Sequence, residues 1–281
     1  MNYDKFETIF NKEIFERSKS KLIETIAKEP NRYIGLFRPT KPKGKLLQNL
    51  LQSHEIRMGN AFEVLLEAYF EILGYKILQK KFPDEKLDID QCFKNADKIY
   101  FIEQKMRDDH DSSKKRGQLE NFEKKLNLMI KKYGDKNLTG IFYFIDPDLR
   151  KNENYYQSEL SKMKRDYKIE LYLFYGKELF EFIKNPNIWD EILDYLKKWK
   201  NSIPDLPELN FDLEPEQTFN EIKDLSPSIF RRLFENNEIF NDIVLTLFPQ
   251  KETLNLLLDY FKQKSSIMIY MTLYKELQSL L

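Results

Sequence analysis

Three short segments with the alternation of a β-strand follow one another between residues 75 and 105, and they require this chain to build a sheet. They are YKILQKK at 75–81, LDIDQCF at 87–93 and KIYFIEQK at 98–105. Short runs rich in Ile, Phe and Tyr, bounded by polar turn residues, are typical of strands. Only four residues, 94–97, separate the last two segments, so we expect these two strands to form an antiparallel hairpin.

Helical periodicity surrounds this hairpin on both sides. Apolar residues recur at helical spacing over 2–28, 45–73, 118–133 and 188–200, and a further short helix is expected after Gly176. Two more strands are expected at 138–146 and 168–175. Helices, a meander of strands and then alternating helices and strands predict a mixed α/β protein with one central sheet flanked by helices.

The end of the chain differs from the rest in composition. Three prolines between residues 203 and 216 predict a linker, and residues 217–281 have helical spacing throughout. We therefore expect one domain over 1–202, including the N-terminal helices, and an all-helical C-terminal subdomain over 203–281. The segment 204–242 holds ten acids and three bases, among them Arg231 and Arg232, which favours a role in dimerisation or in buttressing the core over binding a negatively charged partner.

The counts of cysteine, histidine and charged residues exclude several classes of site. One cysteine, Cys92, cannot form a disulfide within the chain, and with only His54 and His110 it cannot build an ordinary zinc site. Any metal would be held by carboxylates, which favours Mg²⁺ or Mn²⁺. The 46 basic residues match the 46 acidic ones, which excludes a polybasic protein but allows a local basic groove. Without a signal-peptide pattern or an apolar run of membrane length, we expect a cytoplasmic protein with no membrane partner.

The predicted hairpin carries the residues with the clearest chemistry. Because side chains alternate along a strand, Glu103 and Lys105 share one face, and the hairpin can bring Asp90 beside Glu103. Two carboxylates can hold a divalent cation that activates water, and a nearby lysine can orient that water or stabilise the charge that develops on a phosphate. An acid followed two residues later by Lys occurs five times in the chain, for example at Glu123 and Lys125. Only the pair Glu103/Lys105 ends a hydrophobic strand.

Asp90 followed by Glu103-Gln104-Lys105 resembles the PD-(D/E)xK core of the restriction-endonuclease-like nucleases. The resemblance implies that Asp90 and Glu103 are metal ligands, that the Gln104 carbonyl is a further ligand, and that Lys105 is the catalytic lysine. Ile89 stands where the family pattern has proline, so Asp88 remains a rival to Asp90, which has the more typical spacing. Similar nucleases carry an acid on the preceding helix.

Glu63 is the candidate for this helix acid, with Glu67 one turn later, and a solvated helix face is the alternative. The segment 173–183, LFYGKELFEFI, resembles the last core strand and helix of several type II restriction endonucleases. The resemblance covers about residues 55–200 and implies Mg²⁺ as the cofactor, with Mn²⁺ as a substitute.

Two segments are candidates for contact with DNA. The first leaves the strand directly after Lys105 and is expected to be a polar loop over 106–117. Its side chains are of the types that bind base edges and phosphates. The candidates there are Arg107, Asp109, His110, Ser112, Ser113, Lys114, Lys115 and Arg116, with Gln118 resembling a polar residue that follows the motif in related nucleases. The second segment, 32–45, contributes Arg38, Lys41 and Lys43. A solvated charged surface is the alternative for both segments.

Together with these observations, the resemblance implies a Mg²⁺-dependent type II restriction endonuclease that cuts double-stranded DNA at a short specific sequence. A symmetric site favours a homodimer, and the resemblance implies a cognate DNA methyltransferase. One alternative is a repair, recombination or defence nuclease of the same fold that recognises DNA structure. Another is a DNA-binding protein without catalytic activity.

Overall fold

The computed structural model describes residues 1–16, 18–35 and 37–281, and this part of the chain contains helices, a five-stranded sheet and a separate two-stranded sheet. The helices are α1 (Tyr3–Ile14), α2 (Ser18–Lys28), α3 (Asn31–Ile34), α4 (Pro42–Ile72), α5 (Ser112–Tyr133), α6 (Glu153–Tyr167), α7 (Glu178–Phe182), α8 (Asn187–Ser202), α9 (Pro215–Ile222), α10 (Pro227–Phe234), α11 (Asn237–Ile239), α12 (Leu245–Leu247), α13 (Glu252–Gln263) and α14 (Met268–Leu280). The strands are β1 (Lys76–Ile77), β2 (Lys81–Phe82), β3 (Leu87–Asp88), β4 (Gln91–Asn95), β5 (Lys98–Lys105), β6 (Leu138–Phe144) and β7 (Glu170–Tyr175).

The main sheet is mixed, with the strand order β1-β4-β5-β6-β7. β4 and β5 form the expected antiparallel hairpin, whereas β5, β6 and β7 run parallel to one another. Parallel neighbours need crossover connections, and the helices α5 and α6 provide them. The prediction of a mixed α/β protein with one central sheet is confirmed, and β5 has the bounds that the sequence predicted.

The strands next to the hairpin are shorter than expected. The predicted strand 75–81 is divided, because β1 pairs with β4 in the main sheet while β2 pairs with β3 in a separate two-stranded sheet. The predicted strand 87–93 is divided in the same way, and Asp90 lies between its two parts. Each segment pairs with different strands before and after its break. The alternation of side chains within a segment does not indicate with which strand it pairs.

β6 lies in the middle of the parallel strands and is buried along its whole length. Packing of its neighbours leaves no room for a side chain at Gly140, because a Cβ atom there would lie 2.7 Å from Cδ2 of Leu171 and 2.7 Å from Cε1 of Phe101. Aromatic rings fill the adjoining core, as in the stack of Phe142 on Tyr156 at 4.9 Å.

α4 covers part of the sheet through the second half of its length. Phe70, near the end of this helix, stacks on Phe93 of β4 with 4.1 Å between the ring centroids. The helix begins at Pro42, three residues earlier than the periodicity predicts. Proline is favoured in the first turn of a helix because it has no N–H to leave unpaired.

The chain divides into two compact units, one of residues 1–10 and 59–203 and the other of residues 11–58 and 204–281. The division expected from the sequence, a domain over 1–202 and a helical subdomain over 203–281, stays a prediction. In the structure residues 11–58 group with the C-terminal helices. Apolar side chains explain this, since Leu22 and Ile26 of α2 share one buried cluster with Phe230 of α10.

The segment 203–216 is more ordered than the linker that its prolines predict. Residues Phe211–Leu213 form a turn of 3₁₀-helix, and Phe211 is buried. The carboxylate of Asp212 accepts hydrogen bonds from the backbone amides of Gln250 and Thr253, at 2.9 Å each. From residue 215 onward the C-terminal region is helical, as expected. No helix in the described ranges is long and apolar enough to cross a membrane.

Candidate active site

The antiparallel register of β4 and β5 brings the motif residues together at one end of the hairpin. Gln91 is paired with Ile102, so Asp90, one residue before β4, lies next to Glu103. The backbone amide of Gln104 donates a hydrogen bond of 2.7 Å to Oδ2 of Asp90. This bond attaches the carboxylate of Asp90 to the strand that carries Glu103 and Lys105.

Asp88 is not part of this cluster. It lies on β3, where it is paired with Lys81 in the separate two-stranded sheet, and it is exposed. Ile89, between the two acids, is buried. The two neighbouring acids therefore face different surroundings, and only Asp90 is placed to act together with Glu103.

Lys105 lies against both carboxylates. Its Nζ is 2.6 Å from Oε1 of Glu103 and 3.7 Å from Oδ2 of Asp90. It also donates a hydrogen bond of 3.0 Å to the backbone carbonyl of Gln104. The Glu103 side chain is almost fully buried, whereas the side chain of Lys105 is 27% exposed. The lysine is thus the member of the pair that solvent, or a substrate, can reach.

A second lysine, Lys125, completes the cluster, and the sequence analysis did not single it out. Its Nζ lies 3.1 Å from Oδ1 of Asp90 and also contacts Oε2 of Glu103. Burial disfavours its charge, but the negative charges of Asp90 and then Glu103 outweigh burial and raise the pKa of Lys125. Asn121, one turn earlier on α5, lies 3.5 Å from Oε1 of Glu103 through its Nδ2.

A signal for Lys125 was present in the sequence. Phe122, Leu126 and Met129 form the buried face of α5, and Lys125 lies on the same face of the helix. A lysine on the apolar face of a helix is seldom buried without a partner. The partners themselves, 22 and 35 residues earlier in the chain, could not be identified from the helix alone.

Glu63, the candidate helix acid, lies in the electrostatic neighbourhood of this cluster. Burial and the negative charge of Asp90 raise the pKa of the Glu63 carboxyl group to about 7. The side chain of Gln91 donates a hydrogen bond of 2.6 Å to the backbone carbonyl of Glu63, which joins α4 to the start of β4. Glu67, one turn later, instead forms an ion pair with Lys80.

The oxygen atoms of this cluster match the preferences of a hard divalent cation. Asp90 and Glu103 supply carboxylates, and Gln104 supplies a backbone carbonyl, which is the donor set that suits Mg²⁺ when water completes its coordination. In the described ranges no three side chains of the types His, Cys, Asp and Glu are grouped closely enough to hold a metal ion. The position between the two carboxylates already accepts a cation, the ammonium group of Lys125.

The segment after β5 differs from the polar loop that the sequence predicts. The helix α5 begins at Ser112 rather than at residue 118, because Asp111 caps it by accepting a hydrogen bond of 2.8 Å from the amide of Lys114. Ser112, Ser113, Lys114 and Arg116 are exposed on its first two turns. Arg107 and Asp109 are exposed on the short loop before the helix, and His110 is partly buried beside Asp109.

Two of the candidate DNA-binding residues make contacts within the protein. Nζ of Lys115 donates a hydrogen bond of 3.1 Å to Asn152 and lies 4.4 Å from the ring centroid of Tyr155. Gln118 accepts a hydrogen bond of 2.7 Å from the hydroxyl group of Tyr156. These contacts hold both side chains against the start of α6, and their role in DNA binding stays a prediction.

Asp108 is a buried acid in the same loop that the sequence analysis did not identify. It accepts hydrogen bonds of 2.8 Å from the backbone amide of Asn152 and 3.0 Å from the hydroxyl group of Tyr175. The side-chain amide of Asn152 donates a further bond of 2.8 Å to its other oxygen. Asp108 thereby fixes the chain that leads from Lys105 to α5.

The other predicted DNA-binding segment is partly helical. Lys43 lies in the first turn of α4, and Lys41 directly precedes that helix. Lys41 and Lys43 are exposed, and Arg38 is partly buried. All three belong to the unit of residues 11–58 and 204–281, whereas Asp90, Glu103 and Lys105 belong to the other unit.

Comparison with known proteins supports a nuclease assignment. A family model described as "Type II restriction endonuclease, HinfI" matches residues 2–85 and 73–200 of the chain. No curated protein and no solved structure matches it. The matched residues include the whole cluster around Asp90, Glu103 and Lys105.

Proposed function

Because this chain belongs to the HinfI family of type II restriction endonucleases, we propose that it cuts double-stranded DNA at a short specific sequence with Asp90, Glu103 and Lys105 as its catalytic residues. The observation that carries this proposal is the contact of Lys105 with both carboxylates at the end of the β4–β5 hairpin. The mixed sheet and the position of the cluster support a restriction-endonuclease-like fold of the PD-(D/E)xK type.

Asp90, Glu103 and the Gln104 carbonyl are the groups proposed to hold Mg²⁺, with Mn²⁺ as a substitute. A bound divalent ion would neutralise phosphate charge and lower the pKa of a coordinated water. Glu63 is proposed as a further oxygen ligand, and a bound cation would favour its charged form over the neutral form that burial and the charge of Asp90 stabilise. The hydrogen bond from the Gln104 amide to Asp90 holds the two carboxylates in register for this task.

Lys105 is proposed to act on the attacking water and on the phosphate. Its Nζ is the partly exposed cation of the cluster, and it is held between Glu103 and the carbonyl of Gln104. A positive charge fixed at this point stabilises the negative charge that develops on the phosphate oxygens in the transition state. Because Glu103 is buried and Lys105 is not, the lysine lies on the side of the cluster that faces an incoming strand.

The start of α5 is proposed to contact DNA. Lys114 and Arg116 are exposed cations on its first two turns, and the same turns present the hydroxyl groups of Ser112 and Ser113. Lysine and arginine bind phosphates, whereas arginine and serine also read base edges. Arg107, Asp109 and His110 precede this helix and are proposed to contribute to specificity, and Arg38, Lys41 and Lys43 to contact the DNA backbone.

Further parts of the proposal rest on the family and on symmetry. A homodimer would place two copies of the cluster on the two strands of a symmetric site. A cognate DNA methyltransferase would protect the host DNA, and a cytoplasmic location would bring the enzyme to incoming DNA. The C-terminal helical unit is proposed to serve dimerisation or DNA contact.

Digestion of unmodified bacteriophage DNA tests the proposal directly. We expect discrete fragments in the presence of Mg²⁺, no fragments with EDTA, and none with the Lys105→Ala variant. Sequencing of the fragment ends would then identify the recognition site. A smear or nicks at branched DNA would favour a structure-specific nuclease of the same fold. Absence of cleavage with Mg²⁺ and with Mn²⁺ on any DNA would overturn the proposal.

A further inference from the structure

The feature that the proposed mechanism leaves unexplained is the buried lysine on α5. Lys125 bridges the two acidic side chains that are proposed to bind the metal, at 3.1 Å from Oδ1 of Asp90 and in contact with Oε2 of Glu103. Lys105 contacts the other oxygen of each carboxylate. All four carboxylate oxygens of the pair therefore face an ammonium group.

The charges of this cluster cancel without any metal. Two carboxylates and two ammonium groups sum to zero, and the side chain of Lys125 is only 6% exposed. An uncompensated carboxylate pair buried at this depth would repel itself strongly. In the absence of metal, Lys125 therefore supplies a buried positive charge next to both carboxylates. Lys105, on the accessible side of the cluster, does not fully replace this charge.

We propose that Lys125 is a positioning residue that holds Asp90 and Glu103 together as an internal cation and must leave the space between them when a divalent ion binds. The inference rests on the proposed metal-binding role of these two carboxylates. It has two consequences: the protein is folded and ordered at this site without metal, and the affinity for Mg²⁺ is lowered by the competing ammonium group.

Mg²⁺ binding to the protein alone, without DNA, tests this inference by a readout other than cleavage. Calorimetric titration of the Lys125→Met variant should give a Kd for Mg²⁺ at least about tenfold lower than that of the natural protein, because a competing charge has been removed. The same variant should unfold about 5 °C or more below the natural protein in EDTA, and Mg²⁺ should reverse the loss.

Two further variants separate this role from general packing. Lys124 is exposed on the same helix, so Lys124→Met should change neither the Kd nor the unfolding temperature. Lys125→Arg retains the positive charge and should keep the weak Mg²⁺ affinity. An unchanged or weaker affinity in Lys125→Met would overturn the inference, since a merely structural lysine would not compete with the metal.

If Lys125→Met does not fold in EDTA, the Lys125→Gln variant replaces it, because glutamine keeps a hydrogen-bond donor without the charge. Should neither fold in EDTA, recovery of the native circular dichroism spectrum in millimolar Mg²⁺ supports the inference, and failure to recover overturns it. Cleavage of DNA by the natural protein is measured separately. If the natural protein cuts DNA but Lys125→Met does not change the Kd for Mg²⁺, the proposed function stands and this inference is overturned. If Lys125→Met binds Mg²⁺ more tightly but the natural protein does not cut DNA, this inference stands and the proposed function is overturned.

Discussion

Oδ2 of Asp90 accepts a hydrogen bond of 2.7 Å from the backbone amide of Gln104. The bond joins an acid that precedes one strand to the middle of the E-x-K motif on the next strand. It sets the position of the Asp90 carboxylate relative to that of Glu103 without involving the side chains of Glu103 and Lys105. The carboxylate of Asp90 is therefore oriented by a main-chain group of β5, in addition to its contacts with the side chains of Lys105 and Lys125.

The first prediction concerns Lys105. Lys105→Ala should lower the rate of DNA cleavage by about 100- to 10,000-fold, the range that a positioned acid–base group contributes. The rate is measured with a radiolabelled plasmid in saturating Mg²⁺. Lys98, exposed at the other end of the same strand, provides the control, and Lys98→Ala should cut normally. Full activity in Lys105→Ala would remove this lysine from the mechanism.

The second prediction decides between the two neighbouring acids. Asp90→Asn should lower cleavage on the order of 100-fold or more, because a metal ligand contributes several kcal/mol to the transition state. Asp88→Asn should leave the rate unchanged, since Asp88 is exposed on the separate two-stranded sheet. Both are measured as single-turnover cleavage rates. The reverse order of effects would assign the ligand role to Asp88.

The third prediction concerns the exposed cations of α5. Lys114→Gln should weaken DNA binding across all sequences and reduce the slope of log K against log salt by about 0.9, the value for one lost phosphate contact. Lys131, in the last turn of the same helix, pairs with Glu85, and Lys131→Gln is the control. Fluorescence anisotropy at several salt concentrations gives both slopes. Equal slopes in the two variants would show that Lys114 does not contact a DNA phosphate.

The fourth prediction concerns the core of the parallel strands. Gly140→Ala should destabilise the protein by about 1–3 kcal/mol or more, because the added Cβ would overlap with Leu171 and Phe101. Gly117 lies on α5 with nothing within 4 Å of such an atom. Gly117→Ala should therefore stabilise the helix, by about 0.5–1 kcal/mol. Urea unfolding of both variants checks the pair, and a tolerated alanine at residue 140 would contradict the packing.

The fifth prediction concerns pH and His54. Burial, and then the charge of Arg57, lower the pKa of His54, which packs edge-on against Phe15 at 5.2 Å between ring centroids. Below about pH 6.5, the pKa of a free histidine, the unfolded chain binds a proton more readily than the folded one. Protonation of His54 in the unfolded chain therefore lowers the free energy of unfolding as the pH falls below this value, whereas above it His54 has no such effect.

Replacement of this histidine removes its share of the acid sensitivity. Between pH 7 and pH 5, His54→Phe should lose less of its free energy of unfolding than the natural protein does. Above pH 7.5 the two proteins should show the same dependence on pH. Urea unfolding at each pH provides the values, and parallel curves over the whole range would show that His54 does not titrate differently on folding.

Much of the fold followed from local patterns in the chain. The alternation of IYFIEQK predicted β5 with its observed bounds, and the short turn before it predicted the hairpin. The resemblance to restriction endonucleases is confirmed by the family match. The start of α5 was missed, because the cap at Asp111 lies among other polar residues and gives no periodic signal.

The grouping of the N-terminal helices was also beyond the sequence. The amphipathic pattern of α2 shows that it has an apolar face but not which element covers that face. The structure places Ile26 in the same buried cluster as Phe230, more than half the chain away. Apolar side chains are interchangeable in this respect, since burial depends on area rather than on the identity of the partner.

The sequence by itself determined the motif, its strand and the face that Glu103 and Lys105 share, because these depend on a backbone repeat of two residues. The tertiary structure alone decided that Asp90 rather than Asp88 joins them, and that Lys125 of α5 enters the same cluster. The physical reason is that strand register and helix docking bring charges together across large sequence separations, and the resulting compensation of buried charge belongs to the assembled fold and to no single segment.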